Sequence, residues 1–278
     1  MRAEEDSLRG ADAEPADLAD FWRNANFDGA SWLVERGGTP VGFAAVIERG
    51  GESAYWATVH PGVAGRGLST WLLTGAEQRA REVGSVFLRA GCVAENRAAV
   101  PLFEGLGYRE ARHYFQMRID FEGPPAVPEP PAGIELTSFR REDARAFHAA
   151  LDDAFAEEWG WHASPFEEWR ERRLDAPDTD LSLWFVARDG DELAGVVRCE
   201  TRRDGGGWIG ALGVLEPWRR RGIGRALLLH AFCEFHRRGA SHAGLGVDAE
   251  NPTGATGLYE GAGMRVVRED VIYEKELT

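Results

Sequence analysis

The chain has 278 residues, of which 44% are hydrophobic and 28% charged, and a formal net charge of -14. This length favours two domains of ordinary size, while the acidity repels phosphate backbones, which argues against nucleic acid as a partner and favours cationic small molecules. No apolar run approaches the roughly 18 residues that would span a bilayer, and three scattered cysteines, Cys92, Cys199 and Cys233, suggest core residues rather than a disulfide framework or a metal cluster.

The opening stretch MRAEEDSLRGADAEPADLADF is acidic and lacks the basic-then-apolar order of a secretory leader, so a cytoplasmic location is expected. Next, SWLVERGGTPVGFAAVI (31–47) alternates as strand, Gly-rich turn and strand. AYWATVHPGVAGRGLSTWLLTGAEQRARE (54–82) follows as a β-rich run, a proline, a Gly/Arg loop and an amphipathic helix. The segment 86–120 then predicts a strand, a Glu-Asn turn, a short helix ending on glycine and a closing strand. Between Asp120 and Ile134 the sequence DFEGPPAVPEPPAGI is dominated by proline, which removes backbone donors and restricts its neighbours, so residues 122–133 read as a semi-rigid linker.

The second half repeats the first in outline. LWFVARDGDELAGVVRCE (183–200) is again strand, turn, strand, and GWIGALGVLEPWRRRGIGRALLLHAFCEFHRR (207–238) is again strand, proline, Gly/Arg loop and helix. Residues 243–277 repeat the strand, Glu-Asn turn, short helix and closing strand. Two copies of one α/β unit are therefore expected, at 1–121 and 134–278. In the second loop, Arg219, Arg221, Gly222, Ile223, Gly224 and Arg225 stand where a helix begins. The first helical turn leaves N–H groups without intrahelical partners and carries the positive end of the helix dipole, so it suits a diphosphate. Neither a Gly-Lys-Ser/Thr phosphate loop nor a Gly-x-Gly-x-x-Gly dinucleotide fingerprint is present.

An Arg-x-x-Gly-x-Gly loop followed about thirty residues later by Asn251 at a strand exit and Tyr259 on a short helix closely resembles the acetyl-CoA-binding core of the GNAT superfamily of N-acyltransferases. The resemblance covers most of 134–278, and residues 31–121 resemble the same family with a damaged motif. It implies tandem domains, each a mixed, mostly antiparallel sheet flanked by helices, that transfer an acetyl group from acetyl-CoA to a small-molecule primary amine. It further implies that the loop residues surround the coenzyme pyrophosphate, that the Leu212 and Val214 backbones face the pantetheine arm, that Asn251 lies beside that arm or its waters, and that Tyr259 is the general acid. A phenol of pKa about 10 lies near a thiol in acidity and can protonate a departing sulfur.

The base is open. Many relatives place a glutamate where this chain has Trp208, leaving Glu200, Asp248, Glu157 and Glu158 as candidates, Glu200 foremost. Trp159, Trp161 and His162 fall where this family overhangs its acceptor, and read either as pocket or as core. The first copy has Ala64-Gly65-Arg66-Gly67-Leu68-Ser69 as its loop, and Phe103 stands at the tyrosine position with no proton to give, so that copy is expected to be pseudo-catalytic. Its start also looks short against the family's opening strand and helix. The tandem arrangement further resembles the mycothiol synthase branch, which acetylates a cysteinyl glycoconjugate, although Trp208 departs from it. A coenzyme A-sensing module without catalysis and an aminoacyl-tRNA-dependent transferase are the competing classes. Both monomer and homodimer remain open.

Overall fold

The computed structural model describes residues 30–277 apart from Arg203. The acidic opening stretch, which carries the expectations of location and of a shortened first copy, lies outside the described residues.

The chain forms two compact units, one reaching Tyr114 and resuming at Arg268, the other running from Phe115 to Val267. The first contains β1 (Ser31–Arg36), β2 (Thr39–Arg49), β3 (Glu52–Val59), helix α1 (Leu68–Glu82), β4 (Phe87–Val93) and α2 (Ala99–Gly105). Strand β5 (Arg109–Asp120) then carries the chain into the second unit. That unit continues with β6 (Ile134–Ser138), α3 (Ala144–Phe155), the short α4 (Phe166–Trp169), β7 (Trp184–Asp189), β8 (Glu192–Thr201), β9 (Gly207–Val214), α5 (Ile223–Arg237), β10 (His242–Asp248) and α6 (Ala255–Gly261). Strand β11 (Arg265–Glu276) returns the chain to the first unit.

Strand order is β1-β2-β3-β4-β11 in the first unit and β5-β10-β9-β8-β7-β6 in the second. Each closing strand thus completes the sheet of the opposite copy: β11 lies antiparallel to β4 from Asp270↔Val93 to Glu276↔Phe87. The copies share one plan, and each closing strand lies beside the strand that precedes a short helix, β11 beside β4 and β5 beside β10. Side chains hold β11 in the first unit, where Arg89 Nε donates to Glu274 at 2.7 Å and the chain's single lysine, Lys275, donates to the buried Glu77 at 2.7 Å. The proline-rich stretch 122–133 lies within the second unit, where the Cys233 thiol donates to the Ala126 carbonyl across 3.5 Å.

The central helix of each unit is built alike. In α5, Leu227, Leu228, Ala231, Phe232 and Phe235 are buried against the sheet, and side chains of this size contribute roughly 1.5–3 kcal/mol each on burial. Gly239, at φ 86°, lets the chain reverse so that Ala240 N–H reaches the Phe235 carbonyl at 3.0 Å. In α1, Leu72, Leu73, Ala76 and Ala80 are buried, and Gly84 permits the matching Ser85-to-Ala80 bond at 2.9 Å. The opposite face of the second sheet is covered by α3 and α4 through an aromatic layer of Phe139, Phe147, Trp169 and Trp184.

Candidate active site

The site is made by two parallel strands that part. β9 and β10 pair only at Gly207↔Ala243, Trp208↔Gly244 and Ile209↔Leu245, after which both continue, to Val214 and Asp248. At the parting point β9 also carries a bulge: Arg198 faces Ala211 and Cys199 faces Ile209, so Gly210 has no partner on β8. A bulge bends its strand and raises the local twist, which turns the remainder of β9 away from β10. The edge of β9 beyond Ile209 is then available to an extended ligand that adds as a strand would.

The loop between β9 and α5 closes one end of this notch. Arg220 adopts φ 61° and Gly222 φ 87°, and no side chain caps the helix that starts at Ile223. Its first-turn N–H groups therefore point outward, as an anion site requires. A Cβ on Gly224 would stand 3.3 Å from Leu258 and 3.5 Å from Val214, so glycine allows the helix start to close on the notch. The three arginines of the loop do different things. Arg220 is exposed, and Arg221 is exposed with Nη1 3.5 Å from Asp189 Oδ2. Arg219 instead turns inward, donating from Nε to the Val214 carbonyl at 3.1 Å, from Nη1 to Glu157 at 3.2 Å and from Nη2 to the Ala154 carbonyl at 3.4 Å. It ties the end of β9 to the end of α3, and it occupies the Val214 carbonyl that the sequence reading left for the ligand. Ile223 is buried in the core, and Arg225 is exposed on the first turn.

At the far side of the notch stand four residues that the sequence scatters. Asn251 Nδ2 donates to Glu158 Oε1 at 2.7 Å, while its Oδ1 accepts from the Thr253 N–H at 2.9 Å and from the Thr253 hydroxyl at 2.5 Å. The asparagine thus forms the turn and also positions an acid, both ends of its amide being engaged. Burial pushes the Glu158 carboxyl above the usual range, and the charge of Asp248, itself 4% exposed, pushes the same way against the Asn251 hydrogen bond. Tyr259 is 7% exposed, and burial followed by the charge of Glu158 drives its phenol far above 10. That shift moves the phenol away from the acidity of a thiol and keeps it protonated.

Other expected residues are not joined to this cluster. Glu200, at the end of β8, is 45% exposed and stands between Arg198 at 3.7 Å and Arg202 at 3.8 Å; Arg202 in turn lies 4.1 Å over the Trp208 ring. The aromatic run does not continue the helix. α3 ends at Phe155, and Trp161 folds back to stack on it with ring centroids 4.9 Å apart. Trp159 is half-buried, and His162 is exposed in the same turn. Adjacent Glu157 and Glu158 were equivalent in the sequence; only the exit of the chain from α3 turns the first outward to Arg219 and the second inward to Asn251.

Comparison with known proteins agrees with this architecture. The sequence model of the acetyltransferase (GNAT) family matches residues 2–108 and 141–264. A mycothiol acetyltransferase of Thermobispora bispora is 30% identical over 257 residues, covering 89% of this chain and 84% of the relative, and one of Clavibacter michiganensis subsp. michiganensis is 30% identical over 260 residues, covering 89% and 81%. The crystal structure of a GCN5-related N-acetyltransferase from Sphaerobacter thermophilus superposes with a TM-score of 0.85 at 32% identity, covering 98% of this chain and 89% of that one. A tandem GNAT protein of the clavulanic acid biosynthesis pathway shares the fold at a TM-score of 0.68 and 18% identity, covering 89% and 82%. A splayed strand pair, a bulge at its fork and an uncapped helix start thus occur in a chain that belongs to the GNAT acetyltransferase family, as one of its tandem members.

Proposed function

We propose that the second unit transfers the acetyl group of acetyl-CoA directly to a primary amine of a small molecule, and that the first unit is pseudo-catalytic. The family implies acetyl-CoA as co-substrate, and the residues fit it: outward N–H groups from Gly222 to Arg225 and the exposed Arg220 and Arg221 suit a diphosphate, while the free edge of β9 suits the amide-bearing arm. The observation that carries the reading is the half-buried Glu158, held by Asn251 at 2.7 Å and near enough for its charge to raise the phenol of the buried Tyr259.

In this reading Glu158 takes the proton of the attacking amine, in preference to Glu200, whose carboxylate is exposed and engaged by two arginines. A carboxyl raised by burial is closer to the acidity of an ammonium group and so a better base than a solvated one. The amine nitrogen bonds to the thioester carbon, backbone N–H near Leu212 receives the oxyanion, the C–S bond breaks, and Tyr259 donates toward the departing sulfur. Products are the acetamide and free coenzyme A thiol. The test is release of thiol from acetyl-CoA across a panel of primary amines. Amine-dependent release is expected; saturable acetyl-CoA binding with no release for any amine would favour a sensing module instead. A second reading, acetylation of a cysteinyl glycoconjugate, is favoured by the mycothiol acetyltransferase relatives, and turnover of that acceptor above all others in the panel would establish it.

A further inference from the structure

Arg198 is placed unlike the other described arginines of the second unit. It lies mid-strand in β8 within the apolar run Ala194 to Cys199, and only 14% of its side chain is accessible. Among the described residues its ion-pair partner is Glu200, whose Oε2 stands 3.7 Å from Nη1, too far for a hydrogen bond. Burial lowers the guanidinium pKa despite that carboxylate. A guanidinium brings five N–H donors, and the part of Arg198 that stays accessible can offer them to a ligand.

The backbone makes room for it. Gly210 is the bulged residue of β9, and a Cβ there would stand 2.7 Å from Arg198 Nη2 and 2.9 Å from Cζ and Nη1. The guanidinium therefore occupies the space that a side chain at the bulge would fill. Across the ladder Arg198 faces Ala211, one residue short of Leu212, and a strand advances about 3.3 Å per residue. A donor fork thus lies within a few ångströms of the stretch where the proposed transfer takes place, on the strand face that also bears Trp208 and Arg202. A planar guanidinium matches a carboxylate through two parallel hydrogen bonds.

We infer that Arg198 anchors a carboxylate of the acetyl acceptor, so that the preferred acceptor is an amine bearing an acid group a few atoms from its nitrogen. The inference rests on reading the second unit as the transferase site. It reverses, locally, the preference for purely cationic amines that the net charge of -14 suggests. It also disfavours a cysteinyl amine whose carboxyl is consumed in an amide.

The test compares matched pairs of primary amines, each amino acid against its own carboxamide, by thiol release from acetyl-CoA. The native protein is expected to prefer the acid at least tenfold in kcat/KM. Arg198→Gln is expected to collapse that ratio toward one, chiefly through KM for the acid, and Arg198→Lys to restore it only in part. Gly210→Ala, which displaces the fork without removing its charge, is expected to weaken the ratio as well, and thermal melting with acetyl-CoA checks that each variant is folded. Equal turnover of acid and carboxamide by the native protein would overturn the inference while leaving acetyl transfer intact, as would an equal loss for both members of each pair in Arg198→Gln. A stronger preference for phosphate-bearing amines would overturn the choice of carboxylate. Failure of every amine would instead remove the underlying reading of the site.

Discussion

The two units start from one plan and differ where chemistry is concerned. Both have a parallel pair held over three residues, Ser53↔Leu88 to Tyr55↔Ala90 in the first and Gly207↔Ala243 to Ile209↔Leu245 in the second, and both have a central helix entered through a left-handed glycine, Gly67 at φ 81° and Gly222 at φ 87°. The bulge is the first difference. β2 and β3 pair without interruption from Gly42↔Val59 to Arg49↔Glu52, whereas β9 is bulged at Gly210. At the tyrosine position, Phe103 is 4% exposed and stacks on Tyr273 at 4.7 Å, a packing role with no donor. The first unit keeps the parallel pair and the glycine-entered helix, while the position matching Tyr259 is given over to core. Fold is specified by many apolar positions that tolerate drift; catalysis depends on a few polar ones that do not.

That contrast can be broken or sharpened by mutation. Tyr259→Phe should lower kcat by about 10²-fold, the range of general acid contributions, with acetyl-CoA affinity nearly unchanged. Phe103→Tyr in the first unit should restore nothing, because the ring is enclosed. Equal steady-state rates for native and Tyr259→Phe enzymes would remove the phenol from the chemistry.

Glu158→Gln should lower kcat by about 10-fold to 10²-fold and remove the rise of kcat/KM with pH that a raised carboxyl produces. The same change should raise thermal stability at neutral pH. Because the folded-state pKa lies above the unfolded one, the contribution of Glu158 to stability is full below an ordinary glutamate pKa, about 4.3, and falls as pH rises through the folded value. Melting curves of the two proteins should therefore converge in acid and separate above it. A native protein that melts higher than the variant at neutral pH would contradict this.

The smallest effect concerns the loop. Arg220 holds φ 61°, where the first unit has Gly65 at φ 71°. A left-handed non-glycine residue costs on the order of 1 kcal/mol, so Arg220→Gly should stabilise the fold by about that much in denaturant unfolding. It should also weaken acetyl-CoA binding modestly through the lost cation.

Much of this was legible in the sequence. Repetition of strand, Gly/Arg loop, helix, Glu-Asn turn and short helix gives two α/β units, because period, capping glycines and turn residues are local signals. Exchange of β5 and β11 was not legible, since nothing local in either strand tells its own copy from the other. Within the site, the Gly222 helix start and Tyr259 follow from spacing, but the inward turn of Arg219, the choice of Glu158 over Glu157 and the burial of Arg198 against Gly210 depend on contacts between residues distant in sequence. A charged residue inside the apolar run AGVVRCE was the one available hint of the last.

The most direct test of the central claim is calorimetric titration of the full-length protein with acetyl-CoA, alongside Gly222→Asp and Gly67→Asp. The account predicts one site per chain, abolished by Gly222→Asp, which places a negative side chain and a strained φ at the helix mouth, and retained by Gly67→Asp. Two sites per chain, or loss of binding through Gly67→Asp with Gly222→Asp unaffected, would contradict it.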